Sequence, residues 1–100
     1  MHIISKKVLR EFWEVHPNAE RPLRSWFTQV KKAQWHNFAE LRQDFPSADL
    51  VGRLTVFNIG GNNYRLITRV EYRQKRVYVR SLLTHAEYDR GWWKDDDWYA

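Results

Sequence analysis

The chain has no cysteine among its 100 residues. That excludes disulfide staples, thiolate nucleophiles and zinc sites built on thiolates, and it suits a reducing compartment, so a cytoplasmic location is expected. Glycine (4) and proline (3) are scarce, which argues against a low-complexity or disordered chain. No apolar run approaches the roughly 18 residues of a membrane-spanning helix. The opening MHIISKKVLREFW turns charged after two consecutive isoleucines, so neither a leader nor a membrane partner is expected. Acidic residues are nearly missing from one stretch. Between Val51 and Arg80, Glu71 stands alone against Arg53, Arg65, Arg69, Arg73, Lys75, Arg76 and Arg80.

What is present is a composition that folds: 43% hydrophobic and 29% charged, at a length that supports one core, hence a single domain over 1–100. The net charge of +5 is concentrated in the central basic band, and six of its seven cations are arginines. The planar fork of a guanidinium suits phosphate better than a point charge does. Such a band attracts a phosphate backbone or an acidic protein segment, unless it is merely a solvated face.

The first half has helical period. After a short strand at His2 to Ile4, Ser5 is placed to cap a helix whose stripe is Val8, Leu9, Phe12, Trp13 and His16, ended by Pro17. Leu23, Trp26, Phe27 and Val30 form the stripe of a second helix running to about Ala33. Asn37 and Glu40 have capping-box spacing before a short third helix that stops at Phe45-Pro46. The second half switches to period two, with β-rich runs at Leu50 to Ile59, Asn63 to Tyr72 and Arg76 to Leu83. Gly60, Gly61 and Asn62 supply hairpin chemistry between the first two.

Two-residue loops at Gly61-Asn62 and Gln74-Lys75 fix a register. One face then carries Phe57, Ile59, Tyr64, Leu66, Val70, Tyr72, Val77, Val79 and Leu83 for the helices to cover. The other carries Leu54, Val56, Ile67 and Leu82 with Asn58 opposite Arg65 and Arg69 opposite Arg80. Like charges facing across a ladder are destabilising, so this face is expected to receive an anion.

At the end of the third run, Thr84 and Glu87 form a Thr-x-x-Glu box that starts a terminal helix and brings His85 and Tyr88 to its first turn. Two proton-exchanging groups beside Arg65 and Arg80 suit metal-free cleavage of RNA. A base takes the 2′-hydroxyl proton, arginines stabilise charge growing on the phosphate, and an acid protonates the leaving 5′-oxygen. Imidazole titrates close enough to neutral for either proton role. Each residue also has a plainer explanation, since a histidine in a first turn is often a surface group and a tyrosine often packs. His2, His16 and His36 lack metal-ligand spacing, and the Asp95 to Asp97 run is expected to be solvated, so no metal and no cofactor are expected. Trp92, Trp93, Trp98 and Tyr99 suit either base stacking or packing.

The segments FNIGGNNYRL (57 to 66) and LLTHAEYD (82 to 89), joined by a basic hairpin and followed by Trp and Lys, resemble the HigB family of bacterial toxins, relatives of the RelE-like ribonucleases. The resemblance extends over nearly the whole chain. It implies an α+β domain, with N-terminal helices packed on one face of a small antiparallel sheet and a short C-terminal helix. It also implies an endoribonuclease that cuts mRNA, usually on the ribosome, and arrests growth, with a HigA-like helix-turn-helix antitoxin as partner. By that resemblance Arg65 matches a phosphate-binding arginine, and His85 and Tyr88 match the closing motif, while Asn58 and Asn63 belong to the Asn-x-Gly-Gly-Asn motif. Arg80 joins the catalytic set from strand geometry alone, and Arg69, Arg73, Lys75 and Arg76 are expected to bind RNA. The alternatives are a nucleic-acid-binding module without catalysis and an interaction domain for an acidic segment.

Overall fold

A computed structural model describes residues 1–99. It contains strand β1 (His2–Ile4), helices α1 (Lys6–Val15), α2 (Glu20–Lys32) and α3 (Phe38–Asp44), then strands β2 (Asp49–Val51), β3 (Leu54–Ile59), β4 (Tyr64–Glu71) and β5 (Arg76–Thr84), and helix α4 (His85–Arg90). Single 3-10 turns follow α1 at Pro17–Ala19 and α4 at Trp92–Asp95. The sheet order is β1-β5-β4-β3-β2. All neighbours are antiparallel except β1, which joins the edge parallel to β5, so the expected antiparallel sheet is a mixed one. A parallel partner requires a long crossover, and the three N-terminal helices supply its length.

Helix positions follow the stripes. Leu9 and Trp13 of α1, and Leu23, Trp26 and Val30 of α2, are buried against Phe57, Leu66 and Val77 of the sheet. Ser5 precedes α1 with extended backbone but makes no side-chain cap bond. Asn37 does cap α3, accepting from the Glu40 N–H at 2.9 Å. Glu40 reaches one residue further back than a standard box, to the His36 N–H at 2.9 Å. His16 stacks on Phe12 with ring centroids 4.5 Å apart, which accounts for an imidazole on an apolar stripe.

The first long hairpin has the expected register, with Asn58 opposite Arg65 and Ile59 opposite Tyr64. Gly60 and Gly61 take φ of +62° and +67°, and Asn63 N–H closes the turn on the Gly60 carbonyl at 3.3 Å. The second departs from expectation twice. Its loop has four residues, because Lys75 adopts φ of +56° and pairing resumes at Glu71 opposite Arg76. Further along, Ile67 faces Ser81 while Thr68 faces Val79, leaving Arg80 as the extra residue of a β-bulge. The four-residue loop sets Arg69 opposite Tyr78 and not Arg80. The bulge also exchanges two neighbours: Leu82 packs on the helix side and Leu83 on the other, the reverse of the two-residue-loop register.

The run expected as one strand from Leu50 to Ile59 is two. Gly52, at φ +59°, turns the chain so that Val51 pairs with Leu54. A side chain at Gly52 would collide with the Tyr99 carbonyl, because the segment after α4 crosses this turn and accepts the Arg53 N–H at 2.7 Å. That segment, Trp92 to Tyr99, lies as a strap over the face turned away from the helices. Trp93 is buried there against Leu54, Val56 and Ile67, with Val51, Leu83, Tyr88, Trp98 and Tyr99 around them. The sheet thus has a thick helical cover on one face and a thin cover on the other.

Candidate active site

Three neighbouring pieces build the site at the end of the sheet near the Gly60–Asn63 turn. The turn and the start of α4 are joined directly, since His85 N–H donates to the Asn63 carbonyl at 3.2 Å. The capping box is complete: Thr84 Oγ1 accepts from Glu87 N–H at 3.2 Å, and Glu87 accepts from Thr84 N–H at 2.9 Å. Those bonds hold the Glu87 carboxyl below its usual range, chiefly through the backbone N–H of Thr84.

His85 occupies the first position of α4, and its side chain is 51% exposed. Nδ1 lies 3.0 Å from Asp89 Oδ2, one turn on. A proton on Nδ1 satisfies that contact and leaves Nε2 with a lone pair, the tautomer a general base requires. Tyr88, three residues along the same helix, stands over Arg65, with the guanidinium carbon 5.4 Å from the ring centroid. Burial pushes the Tyr88 phenol up, with Asp49 and Asp89 adding to the effect and Arg65 opposing it.

Arg65 is only 9% exposed. One of its terminal nitrogens donates to the Tyr64 carbonyl at 3.1 Å, and the other lies 3.5 Å from Asn62 Oδ1. Among the described residues no carboxylate forms an ion pair with it. A largely buried guanidinium without an anion is costly, so the arrangement favours an anionic ligand there.

Arg65, His85, Tyr88, Asn58 and Asn63 are thus gathered at one end, while the other expected cations are not. Arg69 pairs with Glu71 at 2.9 Å. Lys75 Nζ donates to the Trp35 carbonyl at 2.8 Å and fastens its loop to the chain beyond α2. Arg73 and Arg76 are exposed at the β4–β5 turn, a strand length (roughly 23 Å at 3.3 Å per residue) from Arg65. Arg80 makes a two-pronged ion pair with Asp96, at 2.9 and 3.0 Å, and lies 4.0 Å from the Trp98 ring centroid. Asp96, expected to be solvated, is held below the usual carboxylate range by that arginine and also accepts from Trp98 N–H at 2.9 Å.

Sequence reasoning missed the roles of Asp89 and Asp96. Asp89 had a signal, four residues beyond His85 on one helix face. Asp96 had none, because its partner comes from another element.

An acid–base group beside a fixed, unneutralised cation, on a small basic α+β scaffold, places the protein in the class of compact proteins built to meet anionic polymers. The comparisons make that class specific. The family model described as HigB toxin, the RelE-like toxic component of a toxin-antitoxin system, matches residues 19–91. An mRNA interferase HigB of Escherichia coli O6:H1 is 34% identical over 93 residues, covering 90% of each chain. The mRNA interferase toxin HigB of Escherichia coli K12 is 32% identical over 92 residues, covering 89% of this chain and 88% of its own. An mRNA interferase HigB of Shigella flexneri is similar to the same degree. The chain belongs to the HigB family, the RelE-like toxic components of toxin-antitoxin systems.

Proposed function

We propose that the chain is a metal-independent endoribonuclease that cuts mRNA on the translating ribosome and is neutralised by a HigA-like helix-turn-helix antitoxin in the cytoplasm. The curated relatives are mRNA interferases, which supports the substrate class. The observation that carries the chemistry is the buried Arg65 without a carboxylate, next to the helix that bears His85 and Tyr88.

In the proposed reaction His85 Nε2 takes the proton of the 2′-hydroxyl, with Asp89 steering the ring from Nδ1. The 2′-oxygen attacks phosphorus and the P–O5′ bond breaks, leaving a 2′,3′-cyclic phosphate. The leaving 5′-oxygen takes a proton from the Tyr88 phenol, and the proton His85 accepted returns through water to restore it. Arg65 meets the charge that grows on the phosphate oxygens, and because it is already in place this is the larger contribution. Asn58 and Asn63 flank that phosphate. Arg73 and Arg76 contact RNA a strand length away, where ribosomal or messenger backbone passes, with Arg69 between them and Arg65, and Lys75 shapes the loop that presents them.

The test is cleavage of an mRNA in a reconstituted translation mixture, read by the ends of the products. The wild-type chain should yield products with 5′-hydroxyl ends, and His85→Gln should lower the rate by roughly 10² to 10⁴. Unchanged cleavage by His85→Gln overturns the base assignment. RNA binding without cleavage by the wild-type chain would make it a binding module instead.

A further inference from the structure

Arg80 was placed among the reacting groups by a two-residue-loop register that the four-residue loop overturns, and its fork is occupied by Asp96. The aromatic groups between it and Arg65 suggest a different use. Tyr88 lies flat on Trp93, with ring centroids 5.0 Å apart and planes 11° from parallel. Trp93 Nε1–H also donates to the Tyr88 carbonyl at 3.0 Å, so the indole fixes both the ring and the backbone of that residue. The same ring also meets Arg65, whose guanidinium carbon lies 5.4 Å from its centroid, so Tyr88 is in contact with both Trp93 and Arg65. Trp93 belongs to the strap, and the strap is fastened beyond it. Asp96, three residues on, is gripped by Arg80 of β5, and Trp98 packs under the same guanidinium.

We infer that Trp93 and the Arg80–Asp96 pair are positioning residues, a clasp that holds Tyr88 flat against Arg65 without touching RNA. The inference rests on the reading of Arg65, His85 and Tyr88 as the reacting groups. It fits the alternation of β5: Arg80 stands two residues beyond Tyr78, whose ring meets Trp98 edge-on, so both side chains reach the strap face. The strap has other holds as well: Trp93, Trp98 and Tyr99 pack on the sheet, Trp98 meets the Tyr78 ring, the Arg53 N–H donates to the Tyr99 carbonyl, and Arg69 adds a contact of 3.5 Å to the Trp98 carbonyl.

A double-variant cycle on the full chain separates a clasp from an RNA contact. Arg80→Ala and Asp96→Ala should each lower kcat about tenfold with KM for programmed ribosomes unchanged, and the double variant should be no worse than either alone. Exchanging the two, Arg80→Asp with Asp96→Arg, should recover part of the loss. Trp93→Phe keeps a stacking ring and should lose little, whereas Trp93→Leu should match Asp96→Ala and lose the same near-ultraviolet circular dichroism. If Arg80 touches RNA instead, Asp96→Ala frees its fork and leaves cleavage intact or faster, while Arg80→Ala raises KM; either result overturns the clasp. Additive losses in the double variant overturn it as well. His85→Gln run alongside tells the two failures apart. If it still cleaves, the site reading has failed; if it is inactive while Asp96→Ala is not, the clasp alone has failed.

Discussion

The two faces of the sheet are covered in different ways. On one, α1, α2 and α3 bury Trp26, Phe57, Leu66 and Val77 among side chains from four or more elements. On the other, one short segment lays Trp93 over Leu54, Val56 and Ile67, and the rest of the cover is aromatic rings and paired charges. The helical face holds the fold together, and the strap face keeps a few polar groups in order at its edge. A thin cover leaves Arg65 and His85 within reach of a polymer that three helices would have shut out.

The contrast can be broken most severely from the helical side. Trp26→Ala, removing a side chain only 2% exposed, should cost about 3–5 kcal/mol in denaturant unfolding, enough to unfold a marginal domain. Trp93→Ala should cost less, about 2 kcal/mol, because a single overlying segment can settle into the gap, yet its cleavage rate should fall further than its stability does. Equal stability losses at the two tryptophans would show that the faces are not so different. Gly52→Ala combines a left-handed backbone with a collision at the strap and should cost about 1–2 kcal/mol, with a cleavage defect like that of Asp96→Ala. Acidification should give the smallest effect. The Asp96 and Glu87 carboxyls sit lower in the fold than in the unfolded chain, so their contribution is complete above the ordinary carboxylate range and is lost as pH falls through their folded values. Tryptophan emission from the strap should therefore change at a higher pH than far-ultraviolet circular dichroism does. Coincident transitions would mean the strap is no more acid-sensitive than the helices.

Much of this was legible in the residues. Helical stripes, the Thr84–Glu87 box and the Asn58–Arg65 pairing depend on near neighbours or on a turn with its own chemistry, and each appears as read. The errors share a cause. Gln74 and Lys75 carry no turn signal, and Lys75 enters the left-handed region because its ammonium is tied to the Trp35 carbonyl forty residues away. Arg80 bulges where Asp96 and Trp98 meet it, and those partners are distant in sequence. At Gly52 a single glycine was too weak a mark to divide a strand, and its reason, the Tyr99 carbonyl, lies at the far end of the chain. Short-range chemistry was readable, and long-range agreement between segments was not.

The extra residue in β5 has one more consequence. Because Leu82 faces the helices and Leu83 the strap only while Arg80 occupies its unpaired place, the last stretch of the strand is phased by a count as well as by a composition. Deleting Arg80 would do more than remove a cation. It would rotate Leu82, Leu83 and Thr84 by half a pleat and deliver the helix that follows to the wrong side, a lesion no point substitution reproduces.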